Sequence, residues 1–383
     1  GGGFVSAPIH SFVSGTVKAI EPRRVVSGDM VMSIVVENDE HYLERIFMPV
    51  NLEKASKAEI INAVKEAGIV GMGGAGFPTH VKLSPKEPEK IQYVIVNCAE
   101  CEPYLTSDYR RMLEEPEKIL GGLKTILKLF DHAHGILAIE DNKPDCVALF
   151  KKLVNNDPMI TVKKLKTKYP QGAERQLIYA ATGRKINSSM LPADAGCIVN
   201  NVDTVVAVYR AVYEGRPLME RIVTVTGDAV LNPQNFRVRI GMSYEEILKE
   251  AGGFKKEPAK IICGGPMMGI AVSSTEVPIT KTTNAITVLT EDAVEAADKK
   301  MTACLHCGRC TTVCPNGLMP QMMADAVAAG DFERYEKKLF GLDCISCGSC
   351  TYICPAKRPL TQTFKQTKSE IMARKRAAQG GQK

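Results

Sequence analysis

The residues best able to do chemistry are two matched cysteine runs near the C-terminus. The first reads Cys304-Leu-His-Cys307-Gly-Arg-Cys310-Thr-Thr-Val-Cys314-Pro315, and the second reads Cys344-Ile-Ser-Cys347-Gly-Ser-Cys350-Thr-Tyr-Ile-Cys354-Pro355. Every cysteine recurs 40 residues later, the mark of an internal duplication. Two-residue gaps let three thiolates of one tight loop reach three corners of an iron–sulfur cubane. The longer gap and the proline send the fourth cysteine to the neighbouring cluster. This spacing predicts two [4Fe–4S] clusters, one on Cys304, Cys307, Cys310 and Cys354, the other on Cys344, Cys347, Cys350 and Cys314. Zinc also takes paired Cys-x-x-Cys, but its four-ligand sites leave the third and fourth cysteines and the trailing prolines unexplained. With cysteine at every corner no iron is open to substrate, so the clusters are expected to conduct electrons.

A second candidate site lies in Gly68-Ile-Val-Gly71-Met-Gly73-Gly74-Ala-Gly76-Phe77-Pro78-Thr79, which places five glycines in nine residues. Consecutive backbone N–H groups can converge on an anion where no Cβ intervenes, so the segment reads as a phosphate cradle, with Lys82 as a second phosphate ligand. A tight connecting turn is the alternative reading, since the spacing matches neither the Walker nor the Rossmann fingerprint. Further on, a short apolar run Tyr93-Val94-Ile95-Val96 leads into Asn97-Cys98-Ala99-Glu100-Cys101-Glu102-Pro103-Tyr104. Amide and acidic side chains at the C-terminal end of a strand sit where open α/β sheets bind ligands. Cys98 and Cys101 resemble half of a metal pair, but without a second pair nearby they read as two reduced, semi-buried cysteines.

The elements that position these residues change character along the chain. Residues 1–50 hold short alternating segments, Gly15–Ile20 and Met30–Val36, between Gly and Pro turns, and predict a small β module. Over residues 51–215 the pattern is helix and strand in alternation. Ala58, Ile61, Ala63, Val64 and Ala67 keep helical spacing up to Gly68, and they are followed by strands at Tyr93–Val96, Gly135–Ile139 and Thr161–Leu165 and helices near Ile119–Phe130 and Cys146–Val154. This predicts an α/β domain with a largely parallel sheet. Residues 216–288 contain two alternating strands, Arg221–Gly227 and Phe236–Gly241, then Ser243 and Glu246 as a capping box for a helix ending at Gly252-Gly253. That order predicts a β-grasp-like module. Residues 289–383 are helical text around the cysteine runs, closed by the basic stretch Lys365–Lys375, which reads either as a contact for an acidic partner or membrane surface or as a solvated helix end.

Composition bounds the function. The 383 residues are 45% hydrophobic, enough for several folded domains, and no run approaches the length of a spanning helix. The chain is therefore expected to have no transmembrane segment of its own. The formal net charge of +6 suggests nucleic acid at first sight. Eight cluster thiolates and two oxidised cubane cores lower it to about +2, so no nucleic-acid partner is expected. Thirteen cysteines without a basic-then-apolar leader point to redox chemistry in a reducing compartment, the cytoplasm by default. The opening Gly1-Gly2-Gly3, with no initiating Met, reads as a fragment lacking its natural N-terminus.

Together these features resemble the flavin-bearing, NADH-oxidising subunit of respiratory complex I, and more closely the C subunits of Rnf ferredoxin:NAD oxidoreductase complexes. The resemblance spans nearly the whole chain in order: the β module, the glycine loop with Phe77-Pro78-Thr79, the Asn-x-x-Glu-x-Glu-Pro stretch, Tyr169-Pro-Gln-Gly172-Ala-Glu174, Asn200-Asn201-Val-Asp203, the β-grasp module and the two clusters. It implies that Gly71, Gly73, Gly74 and Lys82 hold the phosphate of FMN, that Asn97 and Glu100 face its isoalloxazine ring, and that Gly172, Glu174, Asn200 and Asn201 complete the pocket. Phe77 and Glu102 match positions that contact NAD(H), the ring by stacking and the carboxylate by hydrogen bonding. Core packing is the competing reading of Phe77. Met72 stands where the complex I subunit has Arg and Ala99 where it has Asp, and two clusters replace its one, which favours the Rnf likeness.

The fold class implied is a multidomain α/β protein. It comprises a barrel-like N-terminal module, a Rossmann-like FMN-binding domain, a β-grasp module of the SLBB type and an α-helical, ferredoxin-like domain with two [4Fe–4S] clusters. The function implied is exchange of hydride between NAD(H) and FMN and of single electrons through the clusters, in the NAD-linked module of an ion-pumping membrane complex. Its partners would be the other subunits, including a ferredoxin-side iron–sulfur subunit, and its place the cytoplasmic face of the membrane, bound peripherally. Rival readings are a flavin and iron–sulfur cobalamin reductase, and a non-enzymatic scaffold with a decayed flavin site.

Overall fold

The computed structural model describes residues 3, 5–44, 46–187 and 189–380, the side chains of 379 and 380 excepted. Gly1 and Gly2 of the opening glycine run lie outside the described residues. The chain forms two compact units, one ending at Thr290 and the other beginning at Glu291.

In the first unit, β1 (Gly15–Arg24) and β2 (Met30–Asn38) pair antiparallel as a hairpin with a register shift between Val17 and Ala19. The α/β part follows with α1 (Lys57–Glu66), α2 (Thr79–Lys82), β3 (Tyr93–Cys98), α3 (Ser107–Glu114), α4 (Pro116–Leu127), β4 (His134–Glu140), α5 (Pro144–Leu153), β5 (Ile160–Leu165), α6 (Glu174–Thr182), β6 (Cys197–Asn201) and α7 (Val202–Tyr213). Ser56 opens α1 with a reciprocal capping box to Glu59, and Asn201 caps α7 through the Asp203 N–H.

The four strands form one parallel sheet in the order β5-β4-β3-β6. Helices cover both faces, so successive residues of β3 serve two cores. Val94 and Val96 pack with Leu123, Ile126, Val205 and Val208, while Ile95 packs with Leu177 and Ile178. A strand buried on both faces shows no polar alternation, which is why it reads as a plain apolar run. Helices α4 and α7 approach closely at Gly122, where a Cβ would lie 2.1 Å from the Val205 carbonyl oxygen.

The β-grasp part of the same unit contains β7 (Glu220–Thr226), β8 (Gln234–Arg239), α8 (Tyr244–Glu250), β9 (Lys260–Cys263), β10 (Ile270–Ala271) and β11 (Ala285–Leu289). They form a mixed sheet ordered β10-β9-β11-β7-β8, with β11 and β7 parallel. The Ser243–Glu246 capping box is present, and Tyr244, Ile247 and Leu248 press on Val223, Val225, Ile286 and Val288.

The second unit holds α9 (Ala293–Asp298), α10 (Arg309–Thr312), α11 (Pro320–Ala328), α12 (Ser349–Ile353) and α13 (Leu360–Gly380). Its core joins Met323, Ala326, Tyr335, Leu360, Phe364 and Ile371. The basic stretch Lys365–Lys375 is therefore neither wholly solvated nor wholly free for a partner. It lies within α13, whose inner face is buried at Thr367 and Ile371, and Lys368 Nζ donates to the carbonyls of Leu342 at 2.8 Å and Cys344 at 3.3 Å. Among the described residues no helix is long and apolar enough to cross a membrane.

The Gly122 contact gives a stability test. Gly122→Ala raises helix propensity by about 1 kcal/mol but forces α4 away from α7, a net loss of about 2 kcal/mol. Thermal melting followed by circular dichroism should show a midpoint lower by several degrees.

Candidate functional site

The sheet order creates the first site. From β3 the chain proceeds to β4 and β5 on one side, whereas β6 lies on the other, so connections leave β3 and β6 in opposite directions and open a crevice at their C-terminal ends. Parallel register puts Val96 beside Asn200 and Asn97 beside Asn201 at that edge. The glycine loop runs back over the crevice and is pinned at several points. Gly71 N–H donates to the Phe77 carbonyl at 2.8 Å, Val70 bridges Pro78, and Met72 N–H donates to Thr204 Oγ1 at 3.0 Å.

At Gly73 a Cβ would stand 2.9 Å from Asn201 Cβ, so the loop backbone lies directly against the end of β6. Gly74 faces open space. Lys82, at the end of α2, donates from Nζ to the Val199 carbonyl at 2.9 Å and comes within 3.9 Å of where a Gly71 Cβ would be. Burial lowers the Lys82 pKa, and attraction to Glu174 opposes that. Burial raises Glu174, with Lys82 opposing. The loop, Lys82, Glu174 and Asn201 thus lie close together.

Asn97 Nδ2 donates to the Gly172 carbonyl at 2.9 Å, and its Oδ1 accepts the Ala99 N–H at 3.1 Å. Gly172 needs to be glycine because a Cβ there would lie 2.5 Å from the Ala99 carbonyl oxygen. The Asn200 side chain is buried, with neither amide atom partnered among the described residues. An orphaned buried amide is costly unless something fills its valences. Together with a backbone cradle that a Cβ would fill and a buried lysine, it makes the crevice fit a phosphate-bearing heterocycle such as FMN.

Other expected residues have additional tasks. Glu100 accepts the N–H groups of Asp108 at 2.8 Å and Tyr109 at 3.2 Å, so it caps the start of α3. Glu102 reaches into the β-grasp part, where its two oxygens accept the N–H groups of Met267 at 3.1 Å and Met268 at 2.8 Å. Phe77 is 42% exposed, which excludes core packing as its role. Met72 is instead a core residue, so its side chain does not replace an arginine at the cradle. Cys98 is buried and Cys101 half-buried, both as free thiols. Sequence reasoning missed Thr204, which anchors the loop, and Asp108, whose Oδ2 accepts a hydrogen bond from Asn201 Nδ2 at 2.7 Å. Thr204 directly follows the Asn-Asn-Val-Asp motif, while nothing near Asp108 in sequence signals its contact.

In the second unit the two cysteine runs fold alike. His306 and Ser346 have φ of +51° and +56°, and their N–H groups donate to the Sγ atoms of Cys304 and Cys344, each at 3.4 Å. Gly308 and Gly348 then start α10 and α12. Two cavities result. One is lined by Cys344, Cys347, Cys350 and Cys314. The other is lined by Cys304, Cys307, Cys310 and Cys354. Each takes three cysteines from one run and the fourth from the other. The thiols surround a space rather than a point, because among the described residues no three His, Cys, Asp or Glu side chains close on a single-ion site. Soft ligands spread around a cavity fit a cubane, which holds each thiolate on a different iron.

A flavin-type cradle on a parallel sheet and two four-cysteine cavities define an electron-transfer protein of the flavin and iron–sulfur class. Comparison with known proteins narrows the class. Family models match the RnfC barrel sandwich hybrid domain over residues 1–41, the Nuo51 FMN-binding domain over 64–210, the SLBB domain over 222–271, and 4Fe-4S dicluster domains over 298–372 and 273–319. The chain is 45% identical over 98% of its length to the C subunit of the Na(+)-translocating ferredoxin:NAD(+) oxidoreductase complex of Acetobacterium woodii, covering 84% of that protein. It is 44% identical over 97% of its length to the proton-translocating counterpart of Clostridium ljungdahlii, covering 81% of it. A solved NAD+-reducing [NiFe]-hydrogenase in its H2-reduced state shares the fold, with a TM-score of 0.55 at 18% identity over 86% of this chain and 69% of that one. The chain belongs to the family of C subunits of ion-translocating ferredoxin:NAD(+) oxidoreductase complexes.

The cavity linings give a test of ligation. Cys310→Ser and Cys354→Ser should weaken the same cluster, and Cys314→Ser should match Cys344→Ser. EPR of the reduced variants checks this, since each pair should leave the same residual signal. If Cys354→Ser matches Cys344→Ser instead, each run feeds its own cluster.

Proposed function

We propose that this chain is the NAD(H)-linked electron-transfer module of its complex, with FMN in the β3–β6 crevice and a [4Fe–4S] cluster in each four-cysteine cavity. The observation that carries the reading is the coexistence in one chain of a glycine cradle beside a buried lysine with two cysteine cages of crossed make-up. When bound, FMN supplies exchange between hydride and single electrons, and the clusters carry those electrons one at a time.

The chain's residues divide the binding between them. Gly71, Gly73 and Gly74 present backbone without side chains, and Lys82 brings a cation whose burial is offset by a phosphate. Asn200 offers an amide donor and acceptor to a heterocycle edge, and Asn97, Gly172 and Asn201 wall the crevice. Phe77 projects an exposed ring on which a nicotinamide could stack, and Glu102, which ties down the Met267–Met268 backbone, would meet the nucleotide by hydrogen bonding as the family resemblance implies. The partners are the other subunits of the membrane complex, with a ferredoxin-side iron–sulfur subunit exchanging electrons with the clusters. The chain would sit peripherally on the cytoplasmic face.

Gly73→Val should lose FMN, because the added side chain strikes Asn201. Glu102→Gln should retain FMN but lower kcat/KM for NADH-driven reduction of an artificial acceptor by roughly 100-fold, about 2.7 kcal/mol of transition-state stabilisation. FMN content and acceptor reduction measured side by side separate the two. If Glu102→Gln releases FMN, or if it works at the wild-type rate, Glu102 has no part in nucleotide binding. Reduction of cob(III)alamin by the purified chain without partners would favour a cobalamin reductase instead.

A further inference from the structure

Behind the Asn201 wall of the crevice lies a group of charges that the binding scheme does not use. Asp203, at the start of α7, accepts from Arg111 Nε at 2.9 Å and pairs with Arg221 at 3.0 Å. Arg111 also pairs with Glu115. Both arginines are therefore engaged with other carboxylates. Glu100 and Asp108 are left with hydrogen bonds from neutral donors. Glu100 accepts the Asp108 and Tyr109 N–H groups and is 3.5 Å from Ser107 Oγ, and Asp108 Oδ2 accepts from Asn201 Nδ2. Lys143, whose charge also acts on Glu100, lies 3.9 Å from the Glu140 carboxylate and 3.5 Å from Asn142 Oδ1.

Two part-buried carboxylates so placed, Glu100 on the backbone N–H of Asp108 itself and neither bonded to a cation among the described residues, are poorly able to ionise together. Glu100 is the better anion, since it takes two backbone N–H bonds at the start of the eight-residue helix α3. We propose that Asp108 holds the proton of this pair near neutral pH and that the proton responds, through Asn201, to charge in the flavin crevice. The second half of this proposal rests on the flavin reading, and the first half does not. Asp108 is a positioning residue, because it meets the crevice through Asn201.

The charges that face Asp108 agree with its role. Burial raises its pKa most, followed by Glu100 on the β3 end and Asp203 on α7, while the Asn201 hydrogen bond and Arg221 on β7 oppose, leaving it raised to about 7. Burial likewise raises Glu100, against the Asp108 and Tyr109 N–H groups and Lys143. Cys98, on the strand below, is pushed up by its burial and by Asp108, and stays a neutral thiol. The chemistry gives such a proton a use. The exchange FMN + NADH + H⁺ → FMNH₂ + NAD⁺ takes up one proton that the hydride does not bring, and two electrons leaving singly release two. A neighbouring group that gains or loses a proton over the same pH range would tune that balance.

The test begins with the full chain before flavin is added. Infrared difference spectra should show a protonated-carboxyl band that disappears with a midpoint near pH 7 and shifts when the wild-type chain carries ¹³C-labelled aspartate. Asp108→Asn should abolish the band, and Glu100→Gln should lower its midpoint. Because the folded chain keeps a proton that the unfolded chain releases above about pH 4, this group's stabilisation is full below that pH and is lost as pH rises through about 7. The wild-type melting midpoint should carry that decline, and Asp108→Asn should remove it. With FMN bound, a plot of flavin midpoint potential against pH should bend near 7 in the wild type and not in Asp108→Asn. A wild-type chain with no band at pH 6, or a band indifferent to the aspartate label, overturns the shared proton even if the variants fail to fold. A normal band with identical potential profiles in wild type and Asp108→Asn overturns the coupling alone, and FMN binding at wild-type stoichiometry keeps that result separate from failure of the flavin reading.

Discussion

Everything at the crevice depends on the loop backbone at Gly73 lying against the end of β6 with no side chain between them. A methyl group at Gly73 would meet Asn201 at less than normal contact distance, so the loop's position and the wall's position are one constraint. The anchors around it are all backbone or short polar groups: Phe77 to Gly71, Ile69 to Thr79, and Thr204 to Met72. This arrangement fixes the loop backbone beside the crevice without filling it. Lys82 is drawn in beside the loop and made less basic by burial, so an anion arriving there relieves a cost already present in the fold.

The cluster unit answers a different constraint. A sequence of 11 residues from Cys304 to Cys314 cannot wrap all four of its cysteines around one cubane once the turn at His306 and Gly308 has brought the first three together. The short helices α10 and α12 carry the fourth cysteine away to the neighbouring cavity. Duplication then solves the problem for both cavities at once, because each copy supplies what the other lacks. The two cages share cysteine-bearing segments, so neither can be completed without the other.

Much of this was legible in the residues. The cysteine spacing predicted the crossed linings, and the Ser243–Glu246 pair marked a cap that is present. The strands β3, β4, β5, β7 and β8 fall within a residue or two of where apolar runs placed them. Less legible was β6, whose residues Cys197–Val199 are buried while Asn200 and Asn201 look polar in sequence, so the strand hides behind its own functional end. Strands β9, β10 and β11 also escaped notice, since short edge and return strands carry too few residues for a period to show. The tasks of Glu100 and Glu102 were hidden for another reason. Their hydrogen-bond partners, Asp108 and Tyr109 in one case and Met267 and Met268 in the other, are chosen by tertiary packing, which a local pattern does not encode.

Ionic and polar contacts also explain how the flavin-binding and β-grasp parts of the first unit keep one register. Arg221 on β7 reaches Asp203 on α7, Arg210 on α7 binds both Glu115 and Glu220, and Thr106 N–H donates to Thr224 Oγ1 at 3.2 Å. Buried ion pairs of this kind add little net stability, because desolvation of each ion cancels much of the attraction. Their directionality is what matters here. Asp203 can satisfy Arg111 and Arg221 together only in one placement of β7 against α7, and Asp203 follows Asn201, the wall of the crevice, by two residues. The same residues that seat the β-grasp sheet therefore hold the end of β6 in place, so any shift of that sheet would be felt at the Asn201 side chain and, through its hydrogen bond, at Asp108.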